Sequence, residues 1–154
     1  RVPSDSMLNR DRYEFFAGFD PQQQPRWSSD LAARQAVFRD DNGVGWNVSV
    51  SFNAGLKRYL LATEHGSTHE GKFGLFDAPE PWGPWTTIAY DDLWGDGHIE
   101  VSAFYWNFPT KWQSSDGQRV TMVFTGKNSN DSWNTVDGHF SLQSRLKSTE
   151  RPSR

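Results

Sequence analysis

An aromatic unit occurs twice in this chain, sixty residues apart. Trp46-Asn47 is followed by Phe52, and Trp106-Asn107 by Trp112, each five residues after its Asn. Arg58 then opens the apolar run RYLLAT, and Arg119 opens RVTMVFT. A looser echo pairs Phe16 and Trp27 with Phe76 and Trp85. Such a unit cannot bury its apolar face alone and must stack on its neighbours. A repeat of about 40–60 residues holding four short strands is a β-propeller blade. The bland alternative is chance likeness between two aromatic hairpins, which would leave Trp46 and Trp106 in unrelated surroundings.

The rest of the chain reads as strands. Short β-branched and aromatic runs alternate with Gly, Pro, Asn and Asp clusters. The pattern predicts strands at 13–18, 27–29, 46–52, 58–63, 72–77, 85–90, 101–106, 119–125 and 138–142. Only 30–36 has a helical look, over two turns at most. Asn53–Lys57 and Ser114–Gly117 read as tight turns, where Asp or Asn bonds its own backbone and Gly supplies positive φ. Pro79, Pro81 and Pro84 exclude a central strand between them, because each removes a ladder donor. Rings supply the bulk of the core, with eight Trp, four Tyr and eleven Phe making 15% of 154 residues. The fold class expected is therefore all-β. It is a partial propeller of about two and a quarter blades of four-stranded antiparallel sheet, in one domain over 1–144. Residues 145–154 carry charge and no ring, and are expected to be a disordered polar tail. Closed propellers need about 4–8 blades. The chain is thus expected to be a fragment of a larger ring, or to complete its ring with other copies as a homo-oligomer. Its start at Arg1 without Met suits a processed or truncated product.

Several segments carry a resemblance. Tyr13–Gly18 (YEFFAG), Gly45–Ser49 (GWNVS), Arg58–His65 (RYLLATEH), Phe76–Trp85 (FDAPEPWGPW) and Asn130–Asn134 (NDSWN) resemble the C-terminal half of a bacterial family. Its members are five-bladed propellers of the glycosidase type, once catalogued as a domain of unknown function, and include endo-D-arabinofuranases. The similarity runs from about Val2 to Leu142. It implies a five-bladed ring and hydrolysis of furanosidic, arabinan-like polysaccharide, with no organic cofactor. Family members are roughly twice as long. Catalytic carboxylates expected in their N-terminal blades have no counterpart here.

In a propeller, the loops entering each innermost strand share a face with those joining the second and third strands. Four loops qualify: 39–45, 64–71, 91–98 and 127–134. Glycoside hydrolysis needs two carboxyl groups about 5–5.5 Å apart for retention, or about 6.5–9.5 Å for inversion. Glu64 is the first candidate for the acid, since it follows an apolar strand and abuts His65, where partial burial would raise its pKa. Its structural alternative is a partner for Arg58 or His65. Asp41 and Asp131 are candidate second carboxylates, with the alternative that Asp beside Asn and Gly forms a turn. His65, Asp40, Asn47 and Asn130 are expected to bond sugar hydroxyls. Trp94 and Trp133, in polar loops, are expected to stack on sugar rings, whereas Trp46 and Trp106 are expected in the core. His65, His69 and His98 could hold a metal, but in a loop their spacing carries no such meaning; no metal site is predicted, although a structural divalent ion suits such a funnel. Two Asn-x-Ser triplets begin at Asn47 and Asn130 and are common by chance.

Composition narrows the function. The net charge of −3 with mixed signs gives no nucleic-acid footprint. No apolar run approaches the roughly 20 residues of a membrane span, and no signal peptide is evident. The absence of Cys excludes a disulfide framework and thiolate metal sites. The expected partner is a poly- or oligosaccharide, and the expected location is secreted or periplasmic. The leading reading is part of an endo-acting glycoside hydrolase, inactive alone if much of the funnel lies elsewhere. A non-catalytic carbohydrate-binding module and a structural, oligomerising β domain are the alternatives.

Overall fold

A computed structural model describes residues 1–66, 70–95, 103–126 and 132–142. Among them the protein is all-β, with antiparallel strands joined in chain order and no α-helix. The strands are β1 (Phe15–Phe19), β2 (Pro25–Ser28), β3 (Val48–Asn53), β4 (Arg58–Glu64), β5 (Phe73–Ala78), β6 (Thr86–Asp91), β7 (Phe104–Asn107), β8 (Arg119–Thr125) and β9 (Asn134–His139). They form three sheets: β1-β2, β3-β4-β5-β6 and β7-β8-β9.

Most strands fall where the alternation and turn residues put them. Two expectations need correcting. The last strand is Asn134–His139 rather than 138–142. Its only apolar member is Val136, so its signal was weak; pairing with β8 from Arg119 to Phe124 fixes it instead. The 30–36 segment forms only a single 3-10 turn, Leu31–Ala33, capped by Asp30, whose side chain accepts from the Ala32 amide at 2.9 Å. Residues 101–102 and the 145–154 tail lie outside the described residues.

The second and third sheets pack face to face. Alternation along β4 and β5 sends Leu60, Ala62, Phe73 and Leu75 to one side, where they meet Phe104, Trp106, Phe108, Val120, Met122 and Phe124. Each Leu, Val, Met or Phe among them contributes roughly 1.5–3 kcal/mol when fully buried. Two polar links fix how the sheets meet. Ser49 Oγ donates to the Trp106 carbonyl at 2.6 Å. Fully buried Asn53 donates to the Gly117 carbonyl at 2.8 Å and accepts from the Leu56 amide at 3.0 Å. The β3–β4 hairpin and the turn before β8 are thereby locked together.

The other side of the second sheet meets the first through rings. Trp27 stands edge-on to Trp82 at 5.2 Å, and Phe38 reaches Phe76 at 4.6 Å and Trp85 at 6.1 Å. This cover stops short of β3, whose Val48, Val50 and Phe52 are exposed.

The sequence repeat does not hold at the level of residues, and its two Trp stand in unrelated surroundings, as chance likeness between aromatic hairpins would leave them. Trp106 is 2% exposed, whereas Trp46 is 68% exposed, contrary to the expected core position. Asn47 is buried and Asn107 exposed, the reverse pairing. Trp46 lies in the lead-in to β3, two residues before the strand starts. Trp106 lies inside β7, whose register with β8 shifts between Phe104 and Asn107 and whose Tyr105 is left-handed at φ +62°. The two Trp-Asn pairs thus present opposite phases to the core.

Candidate functional site

Three of the four expected loops gather at one end of the second sheet. The Gly45 amide donates to the Glu64 carbonyl at 2.8 Å, and the Gly66 amide to the Asn42 carbonyl at 2.8 Å. The Trp94 amide donates to the Gly71 carbonyl at 2.7 Å. Asp40 shapes the first loop by accepting the Asn42 amide on Oδ1 at 2.8 Å, as a turn-forming Asp does. Of the fourth loop, residues 127–131 lie outside the described residues.

Strand alternation divides the candidate side chains between two faces. His65 continues the phase of Leu61 and Thr63, away from the third sheet. Its ring stacks on Tyr90 at 3.9 Å, with planes 14° apart. Its Nε2 lies 3.1 Å from the Asp91 carbonyl; a carbonyl only accepts, so this bond requires the proton on Nε2. The Tyr90 hydroxyl donates to Asp40 Oδ2 at 2.8 Å and accepts from Asn42 Nδ2 at 3.0 Å. Two loops and a strand end therefore converge on one phenol. Asn42 and Tyr90 were not read from the sequence. Tyr90 was visible only as the end of a strand, and its value comes from pairing with Gly74, which leaves room beside it for the rings of Phe76 and His65.

The Tyr90 pKa is raised above the usual 10.0, first by partial burial of the phenol and also by the Asp40 hydrogen bond and the charges of Asp40 and Asp92, against the lowering effect of Asn42. Folding therefore favours the neutral phenol. That stabilisation is complete below the usual value and disappears as pH rises through the folded-state one. A tyrosinate absorbance titration is expected to show one phenol ionising later than free tyrosine, and Tyr90→Phe is expected to remove that late step. A titration unchanged by the substitution would contradict the assignment.

Glu64 has the phase of Leu60 and Ala62 and points toward the third sheet. It is fully buried, not partly exposed at a funnel mouth as expected. Gly45 explains the seal: a side chain there would start 3.0 Å from Glu64 Oε2, so only glycine lets this loop lie directly over the carboxyl. Val48 pairs with Thr63, which sets Asn47 opposite Glu64 one step further along. Asn47 is 6% exposed, and its Nδ2 has no hydrogen-bond partner among the described residues. Such a buried amide costs about 1–3 kcal/mol unless something bonds it.

The remaining candidates scatter. Asp41 is exposed and sits 3.4 Å from Arg39 Nε. Trp94, expected to present a face to sugar, leans instead on the core, edge-on to Phe124 at 5.0 Å and near Trp106 and Phe73. A polar loop sequence gave no hint of that, because the contact is with distant strands. Trp133 is 72% exposed and meets Trp112 edge-on at 6.4 Å. Asn130, Asp131, His69 and His98 lie outside the described residues. Among the described residues no group of three His, Asp or Glu could hold a metal ion, and no helix is long and apolar enough to cross a membrane. No family model, curated protein or solved structure matches the chain.

Proposed function

We propose that this chain is a carbohydrate-active unit of a glycosidase-type five-bladed β-propeller, part of an exported hydrolase of furanosidic, arabinan-like polysaccharide. The sugar meets the chain at Asp40, Asn42, His65 and Tyr90. The supporting observation is the phenol of Tyr90, held in a half-open position by both Asp40 and Asn42. A carboxylate can accept about four hydrogen bonds. Asp40 uses one oxygen for Asn42 and the other for Tyr90, which leaves further lone pairs for sugar hydroxyls. The sequential sheets of two, four and three strands support the blade reading, and ring closure requires sheets beyond these three.

Calorimetric titration with a linear arabino-oligosaccharide tests this. Hydrogen bonds to charged groups contribute about 1.5–3 kcal/mol, so Asp40→Asn is expected to weaken binding about ten-fold or more. Tyr90→Phe is expected to act in the same direction. Affinity unchanged in both variants would remove the site.

Turnover is a second reading, favoured by the orphan Asn47 amide opposite buried Glu64. Its second carboxyl would be Asp41 or Asp131. Here Glu64→Gln is expected to abolish release of reducing ends while binding persists. Binding without any release by the wild-type chain would favour the non-catalytic module.

A further inference from the structure

The seam between the second and third sheets carries a pair of exposed rings that the loop site does not use. Among the described residues β3 pairs with β4 alone and β7 with β8 alone, so each has one unpaired edge. The two strands meet, since Ser49 on β3 donates to the Trp106 carbonyl on β7. There Trp46, 68% exposed, stands edge-on to Tyr105, 54% exposed, with centroids 6.2 Å apart and planes at 83°. Tyr105 reaches that position through an irregularity in its strand. Phe104 pairs with Thr125 and Asn107 with Val123, so β7 takes one residue more than β8 over this stretch. Such a bulge re-aims a side chain. The Tyr105 backbone is left-handed, at φ +62°, a conformation that a bulky side chain adopts only at a cost.

Core packing does not account for that cost. Phe104 and Trp106 both face the core, but ordinary alternation would put them there without a bulge. Tyr105 is instead turned outward, against a Trp that is itself exposed. Backbone strain of this kind clusters at ligand-binding positions. Neither Val44–Val48 nor Ala103–Asn107 contains a charged residue. An exposed indole bordered by a phenol therefore suits a neutral ring with an apolar CH face, and the Tyr105 hydroxyl can donate to or accept from its hydroxyls. We propose that Trp46 and Tyr105 form a saccharide-stacking subsite at this seam. In the ring proposed above, β3 and β7 open their sheets and border the central channel. Neighbouring sheets cover faces there and not inner edges, so the pair stays open to ligand. The subsite rests on the carbohydrate reading above and deepens it, but uses none of Asp40, Asn42, His65 and Tyr90.

The test follows the indole N–H signals of the full chain by NMR during titration with a linear arabino-oligosaccharide and, in parallel, a cello-oligosaccharide. The Trp46 signal is expected to shift and saturate. Those of Trp27 and Trp82, packed on each other between the first and second sheets, are expected to stay in place. Trp46→Ala and Tyr105→Asn are each expected to weaken affinity about ten-fold. Asn tolerates a left-handed backbone better than Tyr does, so Tyr105→Asn is expected to keep the wild-type urea midpoint. A purely structural ring would do the reverse, with a lower midpoint and unchanged affinity, and that result would overturn the subsite. Affinity lost in Asp40→Asn but kept in Trp46→Ala and Tyr105→Asn would also overturn it, while leaving the loop site standing. Affinity kept in Asp40→Asn and Tyr90→Phe but lost in Trp46→Ala would uphold the subsite without the loop site. Saturation by the cello-oligosaccharide alone would support the subsite while counting against the arabinan reading. A Trp46 signal unmoved by both sugars would overturn it.

Discussion

Replacing Trp106 by alanine is expected to lower stability by about 3–5 kcal/mol, the usual range for deleting a buried large aromatic. Trp106 is 2% exposed and meets Phe73 at 4.8 Å and Trp94 at 6.1 Å. The cavity would open in the middle of the interface between the second and third sheets, where neighbours held by two sheets can relax only partly. For a chain of this size the melting temperature should fall by roughly 6–20 °C. Trp46→Ala is the matched control. It removes the sequence counterpart of Trp106 from an exposed position, where an edge-on contact with Tyr105 at 6.2 Å is lost, and a smaller change of about 0.5–1.5 kcal/mol is expected. Equal losses in the two variants, measured by denaturant unfolding, would contradict the difference in phase between the two units.

Gly117→Ala is expected to be nearly as damaging, at about 2–5 kcal/mol, for two additive reasons. The backbone there is left-handed, at φ +75°, which disfavours any side chain by about 1–2 kcal/mol. The new methyl would also run into Asn53 Oδ1 and start 2.7 Å from the Leu56 amide nitrogen. Overpacking of this kind costs typically 1–3 kcal/mol. Asn53 is already tied to both neighbours and cannot swing away without breaking the link between the β3–β4 hairpin and the turn before β8. Unfolding by urea should show the midpoint drop; wild-type stability in this variant would mean that the two hairpins are not locked as described.

Strand positions were legible because they depend on local alternation and on turn residues such as Asn53 and Gly117. Strand phase was not. Whether Trp46 or Asn47 faces the core depends on where β3 begins and on the irregularity in β7, and both are set by cross-strand pairing. The clustering of three loops at one end of the sheet followed from the order of strands alone. Which side chains meet there did not, because alternation puts neighbouring residues on opposite faces. Glu64 and His65, adjacent in sequence, go to different sides of the sheet for that reason. Tyr90 escaped notice because its partners, Asp40 and Asn42, lie some fifty residues away. The core contacts of Trp94 were not legible because a polar loop sequence says nothing of the core behind it.

Hydrogen–deuterium exchange of the chain with and without a linear arabino-oligosaccharide tests the central claim most directly. Slower exchange is expected in the peptides covering residues 39–47, 64–66 and 90–95, where the gathered loops would be held by the bound sugar. Saturating ligand with unchanged exchange in all three segments would contradict a saccharide site at that end of the sheet.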